Sequence, residues 1–107
     1  MSALFAWDEG ALVRRKVTQC ALSRICGVCG TPLGRPIVFV GTQREVGRNA
    51  FHAPPLHAEC VQRLREDPVA DPTWQVVSTA GFEFIRPVLN DLDPDPRFEP
   101  NSRMDTH

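Results

Sequence analysis

The sequence has little of what marks membrane, secreted or nucleotide-binding proteins. Tyrosine is absent, aromatic residues make up only 7%, and no apolar run approaches the about 18 residues that a membrane-spanning helix needs. The N-terminal apolar stretch is too short for a signal peptide, and acidic residues follow it. No glycine-rich phosphate loop and no nucleophile elbow are present. We therefore expect a cytoplasmic protein, without membrane contact, that is not an enzyme.

The length and composition limit the folds that this chain can adopt. The chain has 107 residues, which predicts a single small domain whose modest core would gain materially from a bound metal. Its ten prolines and seven glycines predict short elements joined by many loops. The net charge is −1, but residues 1–67 carry nine basic and six acidic side chains, whereas residues 68–107 carry three and seven. This asymmetry leaves room for a basic face on the first part of the chain.

Local patterns predict helices and strands in the first two thirds of the sequence. Apolar residues at helical spacing predict a helix over residues 11–24, with Asp8 as its cap. The β-branched and aromatic run at 36–41 predicts a strand, followed by a polar hairpin loop at 42–48. Residues 49–53 are expected to return as a second strand. After two prolines, residues 56–65 show a helical pattern.

The last third is expected to contain a second hairpin and a tail. Two β-prone runs flanking a Thr-Ala-Gly turn predict a hairpin over residues 74–86. The composition then shifts to proline and aspartate, which predicts a disordered acidic tail over 89–107 and a folded domain over 1–88. Trp7 and Trp74 are interpreted as core residues.

The strongest motif is a pair of short metal-ligand spacings. Cys26 and Cys29 are separated by two residues, and so are His57 and Cys60 further along the chain. Two such pairs supply the four tetrahedral nitrogen and sulfur ligands that a structural zinc site uses. Gly30, just after the first pair, permits the positive φ that such a turn often needs. We therefore predict one structural Zn2+ held by these four residues.

At this point the chain resembles the treble-clef zinc fingers. In that family a cysteine turn, a β-hairpin and a helix follow one another, and the first helical turn supplies the last two ligands. The resemblance covers about residues 25–67 and implies an α+β, zinc-stapled domain, here with an added N-terminal helix and second hairpin. The wider pattern, CGVCGTPLGRPIVFVG with PPLHAEC, also resembles small zinc-binding proteins of actinobacteria and their phages.

Several alternative interpretations stay open for the cysteines and histidines. The cysteines could form two disulfides, although a reducing compartment disfavours them. Cys20 could replace His57 as a ligand, but its place on the predicted helix favours a buried packing role. His52 stands where nucleases of the HNH type, which are also built on a treble clef, carry a catalytic histidine. The partner His and Asn residues are missing, so we interpret His52 as a surface or packing residue.

The functional hypothesis is a zinc-binding adaptor that binds another macromolecule. A protein partner is favoured slightly, because the domain is not strongly basic and the acidic tail would repel phosphate. The alternative is a nucleic-acid-binding zinc finger, and a metal-dependent nuclease is the third hypothesis. Asp91, Asp93 and Asp95 alternate like calcium ligands but lack the glycine and glutamate of a calcium loop. The basic residues that would contact nucleic acid are Arg14, Arg15, Lys16, Arg24, Arg44, Arg48, Arg63 and Arg65.

Overall fold

The computed structural model describes residues 4–87 and 95–103. Within these residues the protein is a small α+β fold with three small antiparallel sheets and three short helices. The strands are β1 Trp7–Asp8, β2 Ala11–Leu12, β3 Ile37–Gly41, β4 Leu56–His57, β5 Gln75–Thr79, β6 Phe82–Ile85 and β7 Arg97–Pro100. The helices are α1 Arg14–Ser23, α2 Gln43–Arg48 and α3 Val61–Arg65, and a 3-10 turn, Ala58–Cys60, precedes α3. None of the helices in the described part has the length and apolar character that crossing a membrane requires.

Strand β3 is the centre of the fold, as its β-branched and aromatic run predicts. It pairs antiparallel with β4 on one edge and with β5 on the other. All five of its residues are buried. Because side chains alternate along a strand, Val38 and Val40 enter a first core, whereas Ile37 and Phe39 enter a second one on the opposite face.

The first core joins the N-terminal segment to the predicted metal-binding segments. Its buried members include Trp7, Cys20, Cys26, Leu56 and Leu64. Partly buried Trp74 packs against the same cluster. The interpretation of both tryptophans as core residues is therefore confirmed, although Trp74 lies at the edge of the core.

The second core is a cluster of phenylalanine rings. The Phe39 ring centroid lies 5.6 Å from those of Phe51, Phe82 and Phe98, and the Phe84 ring is 5.0 Å from that of Phe98. Phe98 is fully buried and lies on β7. Such ring pairs stabilise a core beyond the area that they bury.

The prediction of a disordered tail is wrong for the part of it that the structure describes. Strand β7 pairs antiparallel with β6, so that Phe98 stands opposite Phe84. The alternation of Phe98 and Pro100, both buried, with two charged residues is a strand pattern that the acidic composition concealed. The predicted domain boundary, together with Asp91 and Asp93, lies outside the described residues.

The predicted hairpin over 74–86 is also wrong, although both of its strands exist. Strand β5 pairs with β3, whereas β6 pairs with β7 in a separate sheet. The corner between β5 and β6 is fixed by Thr79, whose buried hydroxyl donates to the Gly81 carbonyl at 2.6 Å and accepts from the Ser102 N–H at 3.3 Å. Strand β7 therefore pairs with β6 in place of β5, which a tight hairpin would have paired with β6.

The segment predicted as a polar hairpin loop is helix α2. Thr42 caps it by accepting from the Glu45 N–H at 3.1 Å, and the Glu45 carboxylate accepts from the Thr42 N–H at 2.9 Å. This reciprocal capping box stabilises a helix start. As a consequence residues 49–53 form no strand beside β3, and only Phe51 makes a bridge, with Phe98.

The N-terminal helix is shorter than the predicted 11–24. It begins at Arg14 after Val13, because Ala11–Leu12 pairs with Trp7–Asp8 as a small hairpin. Asp8 therefore lies in a strand and does not cap the helix. The apolar spacing predicts the buried face, since Val17, Cys20 and Ala21 are the buried residues of α1.

We expect Phe98→Ala to lower the free energy of unfolding by about 3–5 kcal/mol, because it leaves a cavity among the phenylalanine rings. Leu22→Ala is the matched control, since Leu22 is 66% exposed and should cost about 0.5 kcal/mol or less. Urea unfolding of both variants measures the difference. Equal effects would show that β7 does not contribute to the core.

Glu45 gives the stability a dependence on pH. Burial alone would raise the pKa of this carboxyl group, but hydrogen bonds from His52 and Thr42 outweigh it and hold the pKa below its ordinary value of 4.5. A group with a lowered folded-state pKa stabilises above its unfolded-state pKa, and the effect is lost as the pH falls through the folded-state value. Glu45→Gln should therefore be less stable than wild type near neutral pH.

The two proteins should converge in stability as the pH falls from about 5 toward 3. Thermal unfolding across this range measures the convergence. Glu83→Gln, at an exposed position of β6, is the control and should follow wild type. A difference between Glu45→Gln and wild type that does not change with pH would contradict the role of the carboxylate charge.

Candidate metal centre

The first ligand pair lies on a tight backbone turn. The Leu33 N–H donates to the Arg24 carbonyl at 2.9 Å, and the Cys26 N–H donates to the Thr31 carbonyl at 2.9 Å. At the tip, the Gly30 N–H donates to the Cys26 carbonyl at 2.8 Å. Gly30 has φ +72°, where glycine is favoured, as the sequence predicts. This turn holds Cys26 and Cys29 with their side chains close together.

Neighbouring segments fix the turn on both sides. The Ala6 N–H donates to the Gly27 carbonyl at 2.9 Å, and the Gly27 N–H donates to the Pro55 carbonyl at 2.8 Å. A Cβ atom at Gly27 would overlap the Pro54 ring, so only glycine allows this approach. The second bond connects the cysteine turn directly to the segment that carries the other ligand pair.

The second pair lies on a strand and a 3-10 turn. His57 ends β4, where it stands opposite Ile37 of β3, and Cys60 ends the 3-10 turn. The predicted helix over 56–65 is wrong in its first half, because α3 begins at Val61. Leu56 is extended and fully buried in the first core, which requires strand geometry up to the histidine.

The structure brings the four predicted residues together. One ligand atom from each of Cys26, Cys29, His57 and Cys60 lies within 4.8 Å of the others. In a tetrahedral zinc site the ligand atoms are about 3.6–3.8 Å apart, given Zn–S and Zn–N bonds of about 2.3 and 2.0–2.1 Å. His57 Nδ1 lies 3.2 Å from Cys29 Sγ and 3.7 Å from Cys60 Sγ, near those separations. The cluster can hold one metal ion.

The histidine ring is oriented for coordination through Nδ1. Its Nε2 lies 2.8 Å from the Pro32 carbonyl oxygen, which can only accept a hydrogen bond. Nε2 therefore carries the proton, and the lone pair of a neutral ring is on Nδ1, the nitrogen that faces the sulfurs. A carbonyl acceptor on the far side of the ring is the usual outer partner of a metal-binding histidine.

Hydrogen-bond donors surround the sulfur atoms. Cys26 Sγ, fully buried, accepts from the backbone N–H groups of Val28 at 3.3 Å and His57 at 3.4 Å. The Thr31 hydroxyl lies 3.0 Å from Cys29 Sγ. Donors aimed at sulfur stabilise the thiolate form, which is the form that binds metal.

The thiol pKa values differ within the cluster. For Cys29, burial opposes ionisation, but hydrogen bonds from Thr31 outweigh it and lower the pKa to about 6. For Cys60, burial and then the negative charge of Cys26 raise the pKa to about 12. The thiols thus resist ionising together, and a divalent cation removes this conflict because it deprotonates coordinating thiols outright.

The other predicted candidates lie outside the cluster. Cys20 is fully buried on α1, where burial raises the pKa of its thiol to about 12, as expected for a packing residue. His52 donates its backbone N–H to the Glu45 carboxylate at 3.2 Å, and its Nδ1 lies 2.9 Å from the same oxygen. Sequence reasoning missed this pair. The Thr42-x-x-Glu45 capping pattern was the signal that would have placed Glu45 at a helix start.

Arg14, Lys16 and Arg24 are among the basic candidates for nucleic-acid contact that have partners within the chain. Arg14 pairs with Asp95 at 3.2 Å on the exposed surface, a contact that contributes little to stability. Lys16 lies 5.4 Å above the Phe5 ring, and Arg24 lies 4.7 Å above the Phe82 ring.

Comparisons with protein-family models, with curated proteins and with solved structures give no match for this chain. The assignment of the site therefore depends on its own geometry.

Removing one ligand should abolish stable metal binding. We expect Cys60→Ala to lose the metal and its cooperative unfolding transition. The free energy of zinc binding in zinc-finger peptides, about 10–16 kcal/mol, is as large as the free energy of unfolding of a small domain. Elemental analysis of the purified protein and a thermal melt measure both effects. Cys20→Ala is the matched control and should keep one metal per chain. Metal loss in the control, or retention in Cys60→Ala, would refute the ligand set.

Proposed function

We propose that the chain is a zinc-binding adaptor module that holds a protein partner, and that it is not an enzyme. The observation that carries this proposal is the four-residue cluster of three thiols and one imidazole. This soft donor set is typical of structural zinc. Four protein ligands complete a tetrahedral site, so the ion has no open position for an activated water. Zinc then serves folding, and the function lies on the surface.

The exposed face of α1 is the surface that we assign to the partner. Arg15, Gln19 and Leu22 follow one another at helical spacing and are all exposed. Leu22 is 66% exposed, which makes it the most exposed of the large apolar side chains that the structure describes. Arginine is enriched at protein interfaces, and the buried core of an interface is more apolar than the rest of the protein surface. The opposite face of α1 is anchored in both cores.

Nucleic acid is the alternative target. Single-sign basic surfaces bind phosphate most strongly. Here Arg14 is paired with an acid, and Lys16 and Arg24 lie on aromatic rings, so these three are already engaged. This observation supports the protein partner over the nucleic acid.

The experiment compares two charge-matched variants in affinity capture from the source cells. Arg15→Glu with Leu22→Asp changes the α1 face, whereas Arg48→Glu with Val76→Asp changes exposed positions elsewhere. We expect the first variant to lose the partner and the second to keep it, because interface energy concentrates in a few residues. Both must retain wild-type metal content and melting temperature.

Three results would contradict the proposal. Equal capture by both variants would remove the α1 face from the interface. A salt-sensitive shift of DNA or RNA that disappears in the α1 variant would assign the surface to nucleic acid. Metal-dependent cleavage lost in His52→Ala would show that the protein is an enzyme.

A further inference from the structure

A cavity outside the metal cluster is walled by both tryptophans of the chain. It has a volume of about 230 Å³, and none of the four metal ligands lines it. Its walls include Trp7 and Trp74 with Leu12 and Val69, and Glu45 and His52 supply its acid–base pair. This volume is below the roughly 300–1,000 Å³ of pockets that take drug-sized ligands, so it suits a small chemical group.

Glu45 is the acidic residue of this cavity, and no lysine or arginine lines it among the residues described. The carboxylate is fixed in place: Oε1 accepts from the Thr42 N–H at 2.9 Å, and Oε2 accepts from the His52 N–H at 3.2 Å. His52 lines the same cavity, and its Nδ1 lies 2.9 Å from Oε2. The Glu45 side chain is 18% exposed. An ionised group this far from bulk water acts strongly on a nearby cation, because the effective dielectric constant is lower.

The indole rings add a second attraction for cations. The face of an aromatic ring carries negative partial charge, and tryptophan is the strongest such ring among the amino acids. Cavities that combine aromatic walls with an acid are suited to cations that are weakly hydrated and apolar on their outside. Alkylated ammonium groups have both properties, whereas a metal ion would need more oxygen ligands than this cavity offers.

We propose that the cavity between Trp7 and Trp74 is a binding site for a quaternary alkylammonium group, with Glu45 as its counter-ion. The same chemistry occurs in free choline-type molecules and in the trimethylated lysine side chain of a modified protein. The site is independent of the adaptor function proposed above, since it uses neither the metal ligands nor the exposed face of α1.

The cavity walls provide the readout. Because the chain has only two tryptophans and both line the cavity, intrinsic fluorescence reports its occupancy directly. The metal-loaded, full-length protein is titrated with choline and with its neutral isostere 3,3-dimethylbutan-1-ol at fixed ionic strength. The pH is held constant, because His52 Nδ1 lies 2.9 Å from the same carboxylate. Nuclear Overhauser effects from the N-methyl protons to both indole rings locate the bound group.

We expect a saturable fluorescence change with choline and binding of the neutral isostere that is about tenfold or more weaker, as a desolvated cation–π contact implies. No saturable change would overturn the proposal. Equal binding of the isostere would also overturn it, because the cavity would then be selecting only apolar shape. A short peptide containing trimethyl-lysine, compared with its unmodified lysine form, distinguishes a protein-borne group from a free metabolite.

Three variants test the named residues. Trp74→Leu and Glu45→Gln should each weaken choline binding about fivefold or more. Glu83→Gln removes an exposed carboxylate elsewhere and should change it less than about twofold. Unchanged affinity in both cavity variants would refute the site. If either cavity variant fails to fold, the contacts of the N-methyl protons with the two indoles in wild type decide the question, since their absence at saturation contradicts the site.

Discussion

The fold depends on the burial of strand β3 on both faces and its pairing on both edges. A five-residue strand in a small domain cannot satisfy these demands from its sequence neighbours alone. One edge pairs with β4, which ends in the candidate metal ligand His57, and the other edge pairs with β5. One face of β3 packs in the first core, and the other face packs in the second core, to which Phe98 belongs. The candidate metal centre and the aromatic cluster therefore both pack around β3: the first through the strand paired with one of its edges, and the second against one of its faces.

The candidate metal centre and the aromatic cluster differ in how they would stabilise the protein. The aromatic cluster acts through buried area and ring contacts, which exist as soon as β7 docks on β6. The candidate metal centre brings together two segments far apart in sequence, and a bound ion would add the free energy of coordination. Buried Cys26 belongs both to the candidate ligand set and to the first core, so coordination and packing would act on the same residue. A domain with so small a core would gain materially from both contributions.

The clustering of Cys26, Cys29, His57 and Cys60 could be predicted from the sequence, because two short spacings of this kind are typical of a metal site. The strand at 36–41 and the apolar face of α1 were predictable for a similar reason, since strong local periodicity leaves few alternatives. The errors occurred where pairing partners are distant in sequence. Residues 75–79 and 82–85 are both strands, yet each pairs with a strand that local pattern does not reveal. Composition also hid Phe98, because one buried ring in a proline- and aspartate-rich segment barely changes an average.

The N-terminal segment links the metal centre to the tryptophan-walled cavity. The Ala6 N–H donates to the carbonyl of Gly27 in the cysteine turn, and the next residue along the chain, Trp7, forms one wall of the cavity. Any change in the position of the Trp7 ring alters the cavity, whatever ligand the cavity takes. The cysteine turn and the cavity are therefore joined through one backbone hydrogen bond and the residue that follows it, although the four candidate ligands do not line the cavity.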